Sequence, residues 1–274
     1  MSAIGSTGGG RLRWGVADSL VIARRDLMKF VRIPALFVFS IVQPLMFVLL
    51  FRYVFGGAIA GLPAGLDYVN FLLPGIFVQT AIFGSTQTGI GLAEDLSSGI
   101  VDRFRSLPMA RSAVLVGRTT TDLVRNLVVV LLMIAIGYVV GFSFGNGFVS
   151  ALVAIGLTVM IGFSFSWISA TIGLAIKDTE SVQAATFTWV FPLTFVSTAL
   201  VPIGGMPAVL EAVARNNPVT IWANTVRVLT AGDQALAALP TETLAGLILK
   251  STAWIVAILM VFVPLAVRQY RNLS

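Results

Sequence analysis

The chain contains several apolar stretches that are each about 20 residues long, and this feature limits what it can fold into. A helix of that length crosses a hydrocarbon core roughly 30 Å thick, where every backbone polar group must be paired within the helix. Only 11% of the residues are charged, which is too few to cover the surface of a soluble domain. The sequence therefore predicts a helical membrane protein.

Six apolar segments are the best candidates for spanning helices, and we predict an all-α membrane protein with six transmembrane helices. Spans and short loops take up nearly all of residues 34–274, which we expect to form one transmembrane domain. A cytoplasmic tail with an amphipathic interfacial helix is predicted for residues 1–33. The predicted spans are residues 35–55, 69–93, 123–142, 149–176, 181–203 and 247–267.

The basic residues are distributed unevenly around these spans. If both termini are cytoplasmic, all 18 lysines and arginines lie on the inner side except Arg52, Arg215, Arg227 and Lys250. This bias supports an even number of spans, and we expect a multi-pass protein of the cell (plasma) membrane. The net charge of +6 is therefore a topology signal, and no nucleic-acid partner is predicted. Arg52 and Lys250 are predicted to reach the lipid headgroups without ionic partners.

The segment before the first predicted span is amphipathic. Its apolar residues recur at helical spacing, while Arg25, Lys29 and Arg32 form a basic stripe on another face before Pro34 breaks the pattern. We predict an interfacial helix whose basic stripe contacts anionic membrane lipids, with a soluble tail as the alternative.

The region between the last two predicted spans, residues 204–246, carries clear local helix signals. Pro207 opens one short helix. Asn217 followed by Pro218 is typical of the N-cap and first turn of a second helix, which is predicted over residues 218–229 and stops before Gly232. Neither helix is long enough to span a membrane. We therefore predict a short outer helical hairpin that is re-entrant or interfacial.

The loop between the second and third predicted spans is the most charged stretch after the amino terminus. Within it, Ile100, Phe104 and Leu107 share one face of a short helix that ends at Pro108. From these residues alone, a solvated loop helix and a docking helix are both open interpretations.

Two blocks of sequence resemble the ATP-binding-cassette type-2 export permeases, in particular their daunorubicin/doxorubicin-resistance branch. The first block is GIVDRFRSLP at residues 99–108. The second is ALVPIGGMP at residues 199–207, followed by NPVT at residues 217–220 and RVL at residues 227–229. The resemblance extends over nearly the whole chain and is specific to the family, but it does not report the substrate.

The resemblance implies a permease that forms a homodimer and binds two copies of a separate ATP-binding-cassette ATPase subunit. The chain is not expected to be an enzyme in its own right, because it has no Gly-x-x-x-x-Gly-Lys-Ser/Thr motif. ATP and Mg would be bound by the partner, and no cofactor is expected in this chain. The loop between the second and third predicted spans resembles the coupling helix of that family, which contacts the ATPase. The residues that the resemblance implies contact the ATPase are Gly99, Ile100, Asp102, Arg103, Phe104, Arg105, Leu107 and Pro108.

Polar and aromatic residues in the second and fifth predicted spans are candidates for a substrate pathway. They recur at helical spacing, so the two helices could line an aromatic cavity with a few hydrogen-bonding groups. Helix packing is the alternative, since amides and hydroxyls also join helices. In the related G-subfamily exporters these two spans face the substrate, which favours the pathway. The candidates are Gln79, Phe83, Gln87, Phe187, Phe191, Thr194 and Thr198.

A run of small residues, Gly137, Gly141 and Gly145, ends the third predicted span, and we expect it to be a site of close helix packing.

The function that the resemblance implies is export of an amphipathic drug-like or lipid-like molecule from the cytoplasm or inner leaflet. Export of cell-envelope glycolipid or polysaccharide precursors is the alternative within the family. An ion-coupled secondary transporter would be expected to hold ionisable groups near the bilayer midplane, and the predicted spans show none there. Since the chain has no His and no Cys, no catalytic residue and no metal ligand set is predicted.

Overall fold

A computed structural model describes residues 34–55, 66–99, 113–202 and 206–272, and these residues form helices joined by short links without a strand. The predicted interfacial helix with its basic stripe, and all of the predicted coupling loop except Gly99, lie outside the described residues. In chain order the helices are α1 (Pro34–Leu49, continued by the π-helical turn Leu50–Phe55), α2 (Tyr68–Ser97), α3 (Ala113–Val140), α4 (Gly147–Ile176), α5 (Thr179–Phe195), α6 (Ala208–Asn216), α7 (Pro218–Ala231), α8 (Asp233–Leu236) and α9 (Leu244–Arg271).

Four of these helices, α2, α3, α4 and α9, are long and apolar enough to cross a membrane. The helix α1 with its π-helical turn coincides with the first predicted span, and α5 coincides with most of the fifth. However, α5 has only 17 residues and ends at Phe195, eight residues before the predicted end of that span. The structure is therefore that of a multi-pass membrane protein, and the number of six spans stays a prediction.

The helix α2 is the centre of the bundle. Of its most apolar 18-residue window, 83% is buried, whereas only 17% of the corresponding window of α9 is buried. Helices α1, α3, α4, α5 and α7 all pack against α2. The exposed apolar side chains of α9, such as Leu249 and Met260, form an outer surface suited to lipid.

The closest helix crossing joins α2 and α4 through glycine. A Cβ on Gly89 would overlap the carbonyl oxygen of Ser169, and a Cβ on Gly173 would overlap the carbonyl oxygen of Gly89. The two backbones are therefore in direct contact, as is typical where small residues face each other in membrane helices.

The expected packing role of the Gly137, Gly141 and Gly145 run is wrong for its middle member. The helix α3 ends at Val140, and Gly141 has a φ of 100°, a conformation that glycine adopts without strain. An added Cβ on Gly141 would meet no atom within 4 Å, whereas one on Gly137 would contact Leu73 at 3.0 Å. Gly141 therefore terminates the helix. Gly137 packs closely, and Gly145 contacts α7, since its N–H donates to the Thr230 carbonyl at 2.8 Å.

The two short helices α6 and α7 begin where the capping signals predict. Asn217 caps α7 by accepting a 2.8 Å hydrogen bond from the Val219 N–H, Pro218 occupies the first turn, and the helix stops at Ala231 before Gly232. The helix α7 packs against α2, α4 and α9, and Trp222 is fully buried in the main core, with its Nε1 donating to the Ser251 carbonyl at 3.2 Å. The predicted arrangement of the pair as an outer hairpin stays a prediction.

Arg227 of α7 is buried within the bundle, with only 3% of its surface exposed, and its expected position near the outer side of the membrane stays a prediction. Its guanidinium donates to the carbonyls of Phe71 (2.7 Å), Ala199 (3.0 Å) and Thr198, and it lies over the Phe71 ring at 3.8 Å from the centroid. A cation is favoured here because the carbonyls that follow the end of α5 lack helical partners. The burial is possible because the guanidinium is hydrogen-bonded on several sides.

The end of α5 is held from α7 by a second contact. Asn217 Nδ2 donates to the carbonyls of Leu193 (2.7 Å) and Val196 (2.6 Å), so this one amide caps α7 and also pairs with the last turn of α5. At its start, α5 follows α4 after two residues, and Asp178 accepts a 2.8 Å hydrogen bond from the Ser181 N–H. Hydrogen bonds from Ser181 lower the pKa of Asp178, so this cap is ionised at neutral pH.

Lys250, near the start of α9, has an ionic partner, which corrects the expectation that it reaches lipid headgroups unpaired. Its Nζ lies 2.5 Å from Glu242 Oε1. Both side chains are partly exposed, so the pair contributes at most about 1 kcal/mol.

Candidate functional site

A cavity of about 300 Å³ lies between α1, α2, α3 and α5. The helix α2 provides half of its lining residues, because its central position brings one of its faces toward three other helices. The lining residues are Gln43, Pro44, Phe47, Ile76, Gln79, Thr80, Phe83, Gly84, Thr86, Gln87, Arg125, Asn126, Val129 and Phe187.

Five phenylalanines, which we call the aromatic wall, extend from this cavity along α5: Phe47, Phe83, Phe187, Phe191 and Phe195. The three from α5 recur every four residues, so their rings follow one face, with centroids 5.4 and 5.7 Å apart. Phe83 of α2 lies 5.2 Å from Phe191 and 6.1 Å from Phe187, and Phe47 of α1 lies 6.4 Å from Phe195. These spacings are typical of attractive ring pairs and leave ring faces and edges available to an aromatic or apolar ligand.

Two of the four carboxamides that line the cavity, Gln79 and Asn126, are buried, with 3% and 2% of their surfaces exposed. Neither Gln79 Nε2 nor Asn126 Nδ2 has a hydrogen-bond partner among the described residues. The carboxamide of Asn126 lies between Gly84 of α2 and Gly162 of α4. A Cβ added to either glycine would overlap this carboxamide, so the two glycines make room for it.

The charged residue of the lining, Arg125, is already paired. It lies 2.6 Å from Asp122 Oδ1 and donates to the Gly84 carbonyl at 2.6 Å, while the Thr88 hydroxyl donates to the other oxygen of Asp122. Toward the end of α2, Arg118 and Asp95 form a further ion pair between α2 and α3. The charge in the cavity wall is therefore compensated.

Four of the predicted pathway residues, Gln79, Phe83, Gln87 and Phe187, line the cavity. The other three, Phe191, Thr194 and Thr198, are not among its lining residues.

Phe191 reaches the cavity through its contact with Phe83. Thr194 is buried and donates to the Val190 carbonyl of its own helix at 2.8 Å. Thr198 belongs to the Arg227 network, since its hydroxyl accepts from Nη1 of Arg227 at 3.2 Å. The two threonines are thus engaged in hydrogen bonds away from the cavity.

The contributions of α1 and α3 to the lining were not among the sequence candidates. Asn126 and Arg125 lie in the first turns of the third predicted span, and Gln43 and Pro44 lie within the first. Gln43 and Asn126 could have been found from the sequence, because each is a polar residue inside a predicted span.

Of the predicted ATPase-contacting residues, the structure describes Gly99, which follows α2. It has a φ of 69°, and its N–H donates to the Leu96 carbonyl at 3.2 Å. Gly99 therefore ends α2 with the left-handed conformation typical of a helix terminus, directly before the predicted coupling loop.

A comparison with known proteins matches residues 19–230 to the ABC-2 type transporter family. A daunorubicin resistance ABC transporter permease protein of Streptomyces coeruleorubidus is 33% identical over 257 residues, which cover 94% of this chain and 87% of that protein. A Mycobacterium tuberculosis protein named "Probable doxorubicin resistance ABC transporter permease protein" is 28% identical over 221 residues, or 81% of this chain and 79% of that protein. The match and the multi-pass helical bundle confirm the resemblance seen in the sequence, and the chain belongs to the ABC-2 type transporter family.

Proposed function

We propose that this permease exports an amphipathic molecule that carries aromatic or other apolar rings, taking it from the cytoplasm or inner leaflet through the cavity between α1, α2, α3 and α5. The observation that carries the proposal is the aromatic wall beside the buried amides, because such a wall binds apolar surface while a few polar groups orient the ligand. The relatives named for daunorubicin and doxorubicin resistance support a drug-like substrate. Lipid-like substrates would use the same surface.

The charged groups beside the cavity support an ATP-driven exporter over an ion-coupled one. Asp122 pairs with the lining residue Arg125, and it also accepts a hydrogen bond from Thr88. A carboxylate that binds and releases a coupling proton must separate from such partners during transport. The partly buried charge of Arg125 would then have no counter-charge.

We infer that the energy comes from a separate ATP-binding-cassette ATPase that binds ATP and Mg, with two copies assembling on a homodimer of this permease. The loop after Gly99 would provide the contact through Ile100, Phe104 and Leu107, with Arg103 and Arg105 setting its orientation. Relatives named as ABC transporter permeases support this partnership.

The basic residues support a topology with both termini and the coupling loop in the cytoplasm and α6 to α8 toward the outer face of the plasma membrane. Arg25, Lys29 and Arg32 would then contact the anionic lipids of the inner leaflet.

Substitution of the aromatic wall tests the export pathway. We expect Phe83→Ala and Phe191→Ala to change which substrates are exported, with a roughly tenfold loss for those that depend on ring contacts, because each change removes two or more ring pairs. ATP-dependent uptake of daunorubicin and of a panel of other amphipathic dyes into inverted vesicles would be measured with the ATPase subunit present.

Phe148→Ala is the matched control, because this side chain is 77% exposed on α4 and lies away from the cavity. It should leave both export and assembly unchanged. Loss of ATPase assembly in both wall variants, instead of a change in substrate range, would contradict the pathway and favour a packing role for the wall.

A further inference from the structure

We propose that Asp122 sets the charge preference of the cavity. It is a positioning residue that holds and neutralises Arg125, so that the cavity binds cationic and uncharged ring-containing molecules in preference to anionic ones. The inference rests on the proposed function, since it names the charge class of the ligand for the same cavity.

Arg125 is the charged residue among those that line the cavity. The other lining side chains are apolar, aromatic, hydroxyl or carboxamide groups, and 16% of the Arg125 side-chain surface is exposed. A guanidinium stays protonated under all conditions in which a protein is folded, and its charge acts over several ångströms where the surroundings are apolar. A ligand in the cavity would therefore sense this charge without touching Arg125, unless a counter-charge cancelled it.

Asp122 provides that counter-charge, although it is not among the lining residues. It precedes Arg125 by one turn of α3, its Oδ1 lies 2.6 Å from Nη2 of Arg125, and its side chain is only 5% exposed. The Thr88 hydroxyl of α2 donates to its other carboxylate oxygen. Asp122 thus cancels the charge of a lining residue without being part of the lining.

The same contacts determine where the guanidinium lies. Nη2 of Arg125 also donates to the Gly84 carbonyl at 2.6 Å, so two partners hold it beside α2. The next ion pair along the contact between α2 and α3 joins Arg118 and Asp95, and neither of these residues lines the cavity. Each arginine is matched by one carboxylate, so the two ion pairs add no net charge to the cavity.

A lining without net charge that contains phenylalanine rings discriminates between ligand charges. The faces of Phe83 and Phe187 carry negative partial charge, which attracts cations. An anion that entered would lose its hydration without gaining a counter-charge. An uncharged ring system avoids this loss and gains contacts with the rings. We therefore expect anionic molecules to bind most weakly.

The experiment uses three pyrene probes that share one ring system and carry an ammonium, a hydroxymethyl or a sulfonate group. Their binding to the full chain in nanodiscs of zwitterionic lipid would be measured, with protein-free nanodiscs subtracted. The wild-type chain should bind the ammonium probe about tenfold more tightly than the sulfonate probe, with the hydroxymethyl probe between them. Asp122→Asn should lower this preference by about tenfold or more, because it keeps the shape of the side chain and leaves Arg125 without a counter-charge.

Two further variants separate charge from shape. Adding Arg125→Gln to Asp122→Asn removes both charges, so this double variant should return to within about threefold of the wild-type preference. Asp122→Glu keeps the negative charge and should retain most of the preference. The double variant carries the test if Asp122→Asn alone does not fold, because a preference that departs from the wild type by more than about tenfold would contradict neutralisation.

Asp95→Asn is the matched control. Asp95 is also the acidic partner of an arginine between α2 and α3, but neither it nor Arg118 lines the cavity. The variant should leave the probe preference unchanged, whatever its effect on thermal unfolding. An equal shift of the preference in Asp95→Asn and Asp122→Asn would overturn the inference, since it would trace the shift to a loosened helix contact.

Equal affinity of the wild type for the ammonium and sulfonate probes, or an unchanged preference in a folded Asp122→Asn chain, would also overturn the inference and leave the export pathway standing. Binding of none of the three probes would overturn the ligand class. The proposed function fails separately, if vesicles that contain the chain and its ATPase show no ATP-dependent uptake.

Discussion

Arg227 carries its charge into the bundle, and the described residues around it provide carbonyl oxygens and an aromatic ring instead of a carboxylate. Its partners come from two other parts of the chain: Phe71 in α2, and Thr198 and Ala199 just after α5. This side chain thus links the end of α5 to α2, beside the contact that Asn217 makes with the last turn of α5. A guanidinium suits this role because its planar fork directs several N–H groups at once.

Replacement of Arg227 should therefore destabilise the permease strongly. We expect Arg227→Leu to lower the free energy of unfolding by about 3 kcal/mol or more, because several buried carbonyls lose their donor. Arg227→Lys should have an intermediate effect, since an ammonium reaches fewer acceptors. Thermal unfolding in mild detergent would measure both.

Arg215→Leu is the control for this series. Arg215 pairs with Glu211 on α6, but its side chain is 64% exposed, so the change should cost less than about 1 kcal/mol. An Arg227→Leu chain as stable as the Arg215→Leu chain would contradict the anchoring role.

At the scale of elements, the α2–α4 crossing depends on residues that have no side chain. Gly89 and Gly173 allow main-chain atoms of the two helices to touch, and such close approach strengthens dispersion between them. Neither glycine stands out locally, because the sequence contains 26 of them.

Gly173→Ala should separate the two helices, because the added Cβ would overlap the Gly89 backbone, which cannot rotate away. We expect a loss of about 2 kcal/mol or more in the free energy of unfolding and less monodisperse protein on gel filtration. Gly156→Ala in the same helix is the control, since its Cβ would meet no atom within 4 Å. That variant should be neutral or slightly stabilised, and equal loss in both variants would contradict the crossing.

The sequence predicts those helix ends that depend on interactions between neighbouring residues. The start of α7 follows from Asn217 and Pro218, whose capping interactions involve neighbouring residues only. The burial of Arg227 depends on a carbonyl 156 residues away in the chain, and no local pattern reports it. In the cavity, helical spacing predicted Gln79, Phe83, Gln87 and Phe187, but the inclusion of Asn126 depends on how α3 packs between α2 and α4.

At the scale of the whole molecule, the described bundle contains a cavity but no nucleotide-binding motif, so the proposed ATPase must act from outside it. The predicted contact begins at Gly99, directly after α2, and α2 provides half of the residues that line the cavity. Force applied at the loop would thus reach the cavity through one continuous helix.

Phe104→Asp tests this partnership. Phe104 is at the centre of the apolar face of the predicted coupling loop, and a carboxylate buried there in an ATPase groove would cost several kcal/mol. We expect loss of ATPase subunit retention and of transport, with unchanged thermal stability of the isolated permease. Ser106→Asp, off the apolar face in the same loop, is the control and should retain the subunit. A Phe104→Asp chain that keeps its ATPase and transports at the native rate would refute the assignment.

The glycine crossing also determines which parts of the permease can move. Where two backbones touch without intervening side chains, one helix cannot roll or slide on the other without main-chain collisions, so we expect α2 and α4 to move together as one unit. The helices α1 and α5 border the cavity from the other side, and each leaves part of its surface outside the bundle, as Met46 and Phe195 show. We expect each transport cycle to move the α2–α4 unit relative to α1 and α5, so that the cavity changes shape along the boundary between this unit and the two outer helices.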